Sequence, residues 1–453
     1  MGLVDDYGAY IGRQVAAGRG ARARRLVRLG LAYEGARLRL RPDPRTPKAL
    51  VRLNRLAVRA VADALARPSR CVWVNLFAPV ELLQAFGLRP LSIECFSSFM
   101  GGFRVEGQFL ADAERAGYAD TLCAYHKNFL GAAVDGVLRP PLAALTTTLA
   151  CDGNVNTFRA LGERFGCPTL VIDVPYEYSE ANERYVVRQL EEAASSLARL
   201  TGRPFDTAAL SRALESENRA RDLHEEALRL GASRDYPSTL TLQMFKLFAT
   251  HILSGSPEVE AYYRQLVAEL RTAPEDPTAL RILWVHLQPF HQAALQKYFN
   301  YNPRVRFLAS DFDADYGDGR LDPARPLESL ARKMLLNIYN GPYERKAAAV
   351  RALAERLRPD GAIHFNHWGC KQSAGGVALM QRALEGGGVP FLALDGDGLD
   401  RRNSPDAQIA SRVDAFFEML EARRGGAAEP ALGPRPEGCH PYEGEHARKE
   451  TPG

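Results

Sequence analysis

The sequence predicts an α/β protein of two doubly wound domains joined by a helical connector, and three observations carry that prediction. Short apolar, β-branched runs bounded by Pro or Gly alternate with helix-periodic segments over residues 51–177. The same alternation returns over residues 276–424. Between them, residues 178–275 show helical spacing of apolar side chains with no strand-like run. A chain of 453 residues is long enough for each α/β stretch to bury its own core.

Residues 1–50 are Arg-rich and end in RPDPRTPKAL, whose prolines mark an extended connector. A basic helix there reads as a solvated surface helix before it reads as a contact for phosphate or a partner. The first α/β stretch opens with a helix at 53–66 and the run CVWVNLF at 71–77. Pro79 then starts a helix at 81–86, Gly87 stops it, and a strand follows near 91–94. Next comes LCAYHKNFLGAAVDGVLRPPLAALTTTLACDGNVNTF, residues 122–158. It holds a helical segment at 128–134, an Asp135-Gly136 turn and an apolar run ending at Cys151-Asp152-Gly153. Residues 169–174, between Pro168 and Pro175, read as a buried parallel strand.

The connector is read from NERYVVRQLEEAASSLARL, DTAALSRALESENRARDLHEEALRL and PEVEAYYRQLVAEL, with Asp206 as the expected N-cap of the second helix. Strands return at 282–286, 305–308, 362–365 and 390–394, the last running into Asp395-Gly396-Asp397-Gly398. From residue 425 the Gly, Pro, Ala and Glu composition predicts a disordered tail, 425–453, in which Cys439 is a poor ligand.

Composition narrows the function classes. A net charge of +4 is small for this length, and the basic residues are nearly all Arg, so nucleic-acid binding is not expected. No apolar run is long enough to span a bilayer. The opening MGLVDDYGAYIGR has early acids and no apolar stretch, unlike a secretory signal. Seven cysteines without an export signal read as reduced thiols or metal ligands in a cytoplasmic protein.

Cys123, Cys151 and Cys370 each lie just past an apolar run and beside a break in regular structure. Ligands of doubly wound sheets sit beyond the carboxyl ends of the strands, so one cleft between the domains is expected to collect all three. Four readings stay open on spacing alone. Three thiolates from separate loops suit a 4Fe–4S cubane with one iron left open. A zinc site would need His126 or His367 as a fourth ligand and lacks a closely spaced ligand pair. A Cys123–His126 nucleophile lacks an elbow or an oriented base. Plain buried cysteines are the fourth reading. Cys95 reads as a buried thiol rather than a spare ligand, Cys71 and Cys167 as core, and His364 as a core histidine. His367 and Trp368 read equally as lining the Cys370 pocket or as packing, and Asp152 and Asn154 as a turn or cap.

Six segments occur in order between about residues 70 and 420: PVELLQAFGLRP, CAYHKNFLGAAVDGV, CDGNVNTF, PTLVIDVPYE, DGAIHFNHWGCKQSAGG and VPFLALDGDGLD. As a set they resemble the 2-hydroxyacyl-CoA dehydratase family, which also includes the ATP-dependent benzoyl-CoA reductase subunits. The resemblance implies two flavodoxin-like domains with a helical part, and a 4Fe–4S cluster held between them by three cysteines. By position these are Cys123, Cys151 and Cys370. Glu81 matches the carboxylate of the family's early Pro-x-Glu motif beside the substrate pocket, and Glu81 or His367 would move protons. Ala124 departs from the pattern, since many members carry Ser there. The Arg-rich N-terminus and the tail lie outside the match.

The implied partners are an ATP-dependent iron–sulfur activator, a second subunit or second copy, and a CoA thioester substrate. The implied reaction is a radical elimination. One low-potential electron reaches the thioester carbonyl, the ketyl radical anion expels the 2-hydroxyl, loss of the 3-proton gives an enoyl-CoA, and the electron returns. A reductase of the same family and a non-catalytic partner subunit are the alternatives.

Overall fold

A computed structural model describes residues 2–315, 319–404 and 406–425. The tail expected from residue 425 onward, with Cys439, lies outside the described residues apart from Gly425.

The strands form two parallel sheets. The first holds β1 (Cys71–Val74), β2 (Arg89–Ser92), β3 (Ala143–Thr147) and β4 (Thr169–Ile172) in the order β2-β1-β3-β4. The second holds β5 (Leu280–Val285), β6 (Val305–Ser310), β7 (Gly361–His367) and β8 (Phe391–Gly396) in the order β6-β5-β7-β8. Both sheets therefore reverse their winding between their first and third strands. This is the doubly wound arrangement, one strand short of the five-stranded flavodoxin order. Its ligand crevice lies beyond the carboxyl ends of β1 and β3, and of β5 and β7. Every residue of β1 and β3 is buried, as a strand covered on both faces requires. Trp73 of β1 meets Phe129 and Phe165 edge-on, with both pairs of ring centroids 5.2 Å apart.

Two predicted strands end early for identifiable reasons. CVWVNLF leaves the sheet after Val74, because the Asn75 side chain turns to β3 and accepts from the Thr147 backbone N–H at 3.2 Å. The strand read near 91–94 stops at Ser92, whose Oγ caps the helix Ile93–Gly102 by accepting from the Cys95 N–H at 3.3 Å. Cys95 is therefore a fully buried helical thiol.

The connector holds four helices: Glu180–Thr201, Thr207–Gly231, Leu240–Ile252 and Pro257–Thr272. Asp206 caps the second as the sequence predicts, accepting from the Ala209 N–H at 2.9 Å. The third shows no helical stripe in the sequence because it is buried on nearly all sides. The connector is also more than a link. Thr207–Gly231 packs against the helices Val80–Ala85 and Pro326–Leu335, which brings Glu217 and Lys333 to Glu81.

The Arg-rich start folds as two helices, Leu3–Ala16 and Gly20–Leu40, and a third, Lys48–Ala66, runs through residue 50. Gly20–Leu40 buries Ala23, Val27 and Leu31 and leaves Arg22, Arg25 and Arg28 exposed. One core runs from Ile11 through Trp73 to Trp284 and Phe417, shared by both sheets and the N-terminal helices. Among the described residues no helix is long and apolar enough to cross a membrane.

Candidate active site

Cys123, Cys151 and Cys370 occupy the same kind of position in three different loops. Each is the N-cap residue of a helix: Ala124–Val134, Asp152–Phe165 and the single turn Lys371–Ala374. Cys151 follows β3 and Cys370 follows β7, the third strands of the two sheets. Cys123 does not follow a strand as expected, but ends the turn after the helix Glu106–Arg115. The residue before each strand-end cysteine takes the left-handed conformation, Ala150 at φ 68° and Gly369 at φ 76°. Beyond these reversals Cys370 Sγ faces His286, the residue after β5, and Cys151 Sγ faces His126 in the helix Ala124–Val134. All three thiols are free.

The loops touch. A Cβ on Gly369 would lie 2.9 Å from both the Cys123 nitrogen and the Thr121 carbonyl oxygen. Lys371 and Asp152, the residues after Cys370 and Cys151, form an exposed ion pair at 3.1 Å. Burial raises the Cys123 thiol well above its ordinary pKa, and its neighbours Cys370 and Cys151 raise it further. Burial also pushes the Cys151 thiol up to about 12, again helped by Cys370. The three sulfurs thus act on one another, and Cys123 and Cys151 need a positive partner to ionise. Replacement of Gly369 by Ala meets both a left-handed φ and a backbone wall. Gly369→Ala is expected to lower the unfolding free energy by about 1–3 kcal/mol. A urea denaturation midpoint equal to wild type would contradict that close approach.

Each thiol also faces an imidazole. Cys123 Sγ lies 3.3 Å from His367 Nε2, Cys370 Sγ 3.3 Å from His286 Nε2, and Cys151 Sγ 3.9 Å from His126 Nε2. Burial lowers all three histidines below their ordinary pKa, His126 to about 4, so the rings are neutral at pH 7. Both nitrogens of His367 are engaged, since Nδ1 accepts from the Gly398 N–H at 3.0 Å. His286 was invisible in the sequence as a site residue. It follows β5 at φ 75°, a conformation rare for a side-chain-bearing residue, held by its N–H bond of 2.9 Å to Asp311.

The remaining expectations divide. His364 is a core histidine inside β7, edge-on to Phe391. Cys71 is buried in β1, but Cys167 is only half-buried, in the turn before β4. Trp368 is 53% exposed, so it is no pocket wall. Asp152 does not cap its helix; Cys151 holds that position.

Glu81 is not an exposed helix-start carboxylate. It is 1% exposed, and its Oε1 accepts from Lys333 Nζ at 2.7 Å. Lys333 Nζ lies 2.7 Å from Glu217 as well, and Arg221 pairs with Glu217 at 2.7 Å. Burial raises the Glu81 pKa against the pull of Lys333, while Lys333 and Arg221 overcome burial to hold Glu217 at about 2. Of the two carboxylates, Glu81 is therefore the one that takes up a proton more readily. Glu81, Lys333, Phe77, Ser254, His251 and Asp315 line a cavity of about 30 Å³, enough for a water or two. Leu149, on the loop that ends at Cys151, lines the same cavity. The His251 ring lies between two oxygens, Leu247 O at 2.7 Å from Nδ1 and Asp315 Oδ2 at 2.9 Å from Nε2. Lys333 and Glu217 carry no spacing signal, because on their own helices they look like ordinary surface charges.

Comparison with known proteins follows the same residues. The family described as 2-hydroxyglutaryl-CoA dehydratase, D-component, matches residues 75–420. The chain is 24% identical over 396 residues to one of the benzoyl-CoA reductase subunits of Thauera aromatica, covering 78% of this chain and 90% of that protein. It is 23% identical over 404 residues to the alpha subunit of lactoyl-CoA dehydratase from Anaerotignum propionicum, covering 81% and 94%. It is 22% identical over 376 residues to the (R)-2-hydroxyisocaproyl-CoA dehydratase alpha subunit of Clostridioides difficile, covering 78% and 90%. A match that runs from the end of β1 to the last helix of the second sheet leaves one conclusion: the chain belongs to the 2-hydroxyglutaryl-CoA dehydratase D-component family.

Proposed function

We propose that this chain is the cluster-bearing subunit of a 2-hydroxyacyl-CoA dehydratase, a lyase that removes water from a CoA thioester. The observation that carries the proposal is the meeting of three free, mutually interacting thiols from three loops beyond the sheet ends. Among the described residues no three His, Cys, Asp or Glu side chains stand close enough for a single metal ion. Three thiol donors are the ligand chemistry of an iron–sulfur group, and Cys123, Cys151 and Cys370 would hold a 4Fe–4S cluster. When bound, such a cluster supplies one-electron chemistry and an iron open to an oxygen ligand.

The chain's own residues do the rest. Each thiolate sits at a helix start, where backbone N–H groups favour negative charge. Glu81, whose carboxyl burial makes easier to protonate, stands in the cavity wall, where it can exchange a proton with a substrate oxygen. Lys333 holds that carboxyl in place and keeps Glu217 ionised. Phe77 in the cavity wall packs against Tyr339, ring centroids 5.0 Å apart, and gives that side of the cavity an apolar face. An ATP-dependent iron–sulfur activator and a second subunit complete the enzyme; the dehydratase relatives are themselves named as alpha subunits.

Anaerobic purification followed by iron and sulfide analysis tests this reading. About four irons and four sulfides per chain are expected for one cubane. Stoichiometric zinc without sulfide overturns it. A second reading, net reduction instead of elimination, is favoured by the match to a benzoyl-CoA reductase, as extensive as those to the dehydratases. Turnover that consumes reductant in proportion to product selects it.

A further inference from the structure

The three Cys–His contacts can be assigned a direction, because what lies behind each ring fixes its proton. His367 Nδ1 accepts from the Gly398 N–H at 3.0 Å, so the ring carries its N–H at Nε2. That N–H faces Cys123 Sγ at 3.3 Å. His286 Nδ1 is buried without a partner among the described residues, whereas Nε2 lies 3.3 Å from Cys370 Sγ. A buried N–H with no acceptor is the costlier arrangement, so the His286 proton also belongs on Nε2. His126 Nδ1 meets the Thr157 hydroxyl at 2.8 Å. With the hydroxyl as donor, His126 likewise points its Nε2–H at sulfur, 3.9 Å from Cys151 Sγ. A ligand thiolate has no proton of its own to give, so on loading each contact becomes N–H donating to S.

We propose that His126, His286 and His367 form a set of three N–H donors, one to each cluster thiolate, that raises the reduction potential of the cluster. The inference rests on the cluster reading above. The added electron of a reduced cluster increases the negative charge on its sulfurs, and a fixed donor stabilises that state more than the oxidised one. The fold invests in the arrangement. His286 stands in the left-handed region at φ 75°, anchored by Asp311, and the three rings are buried. The three are positioning residues: they act on the thiolates and reach no substrate atom. His367, read from sequence as a proton carrier, has neither nitrogen left for that task.

The test is an EPR-monitored potentiometric titration of the anaerobic, cluster-loaded full chain, comparing His286→Leu and His367→Leu with His286→Gln and His367→Gln. Gln places an amide N–H near the position of Nε2; Leu keeps bulk and removes the donor. The Leu variants are expected to keep their iron and to be about tenfold harder to reduce, a midpoint lower by about 59 mV for one electron. The Gln variants are expected to return toward wild type. If a Leu variant loses its iron, a Gln variant that is loaded at the wild-type potential still supports the donor role. Leu variants that are loaded at an unchanged potential overturn the inference and leave the cluster reading standing. Loss of iron from Leu and Gln alike overturns it too, by making the imidazole a ligand. Wild-type protein without iron or sulfide overturns both.

Discussion

Replacing Cys123, Cys151 or Cys370 by Ser is expected to strip most of the iron, from about four per chain to less than about one. A serine hydroxyl is far less acidic than a thiol and is a harder ligand, so it neither ionises at the site nor matches iron–sulfur chemistry. The loss is expected to be cooperative, because three loops share one group and the Cys123 and Cys370 loops are in contact at Gly369. Cys95→Ser is the control. Cys95 is fully buried in the helix Ile93–Gly102, so Ser there costs stability, but iron per folded chain is expected to stay near wild type. Metal analysis of folded fractions distinguishes these outcomes. Iron lost from Cys95→Ser and kept in Cys123→Ser would refute the ligand set.

Lys333→Met is expected to destabilise the protein by about 3–5 kcal/mol, because it leaves Glu81 and Glu217 buried without their shared cation. The pH dependence follows from the two shifts. Glu217 is depressed to about 2 from 4.5, so its stabilisation is present above 4.5 and is lost as pH falls toward 2. Glu81 is raised, so its contribution is present below 4.5 and is lost as pH rises through its folded value. Without Lys333, Glu81 loses its cation and Glu217 keeps only Arg221, so the acid-side loss of stability expected of wild type should shrink. Unfolding curves between pH 3 and 7, in steps of about one unit, read this directly. A Lys333→Met variant as stable as wild type at pH 7 would show that the ion pairs contribute nothing. Glu81→Gln separates structure from chemistry at the same place. It keeps the shape and the bond to Lys333, so the fold and the iron should survive. Turnover with activator and ATP is expected to fall on the order of 10²-fold if Glu81 moves a proton.

Several features were legible because neighbours a few residues away decide them. Proline and glycine bounds marked β1, β4 and β7 within a residue or two at their starts, and Asp206 was recognisable as a cap from the apolar helix behind it. The helix Leu240–Ile252 was not, since a segment buried on nearly all sides carries no stripe. The strand near 91–94 was cut short by a serine cap that competes locally with the sheet. Trp368 looked like pocket lining because it neighbours Cys370, but adjacency in sequence says nothing about which way a turn residue faces.

By itself the sequence determined the α/β class and the helical middle and pointed to Cys123, Cys151 and Cys370, all of them matters of local pattern and residue type. Only the tertiary structure decided what each of those cysteines meets. Cys123 and His367 are 244 residues apart, and Glu81 and Lys333 are 252 apart. No periodicity links such pairs. They meet because two sheets with the same strand order present the ends of their first and third strands to a shared core, and because the connector carries Glu217 between them. The raised pKa of Glu81 and the lowered pKa values of His126, His286 and His367 are likewise products of burial. Desolvation belongs to the assembled fold, and no stretch of the chain carries it alone.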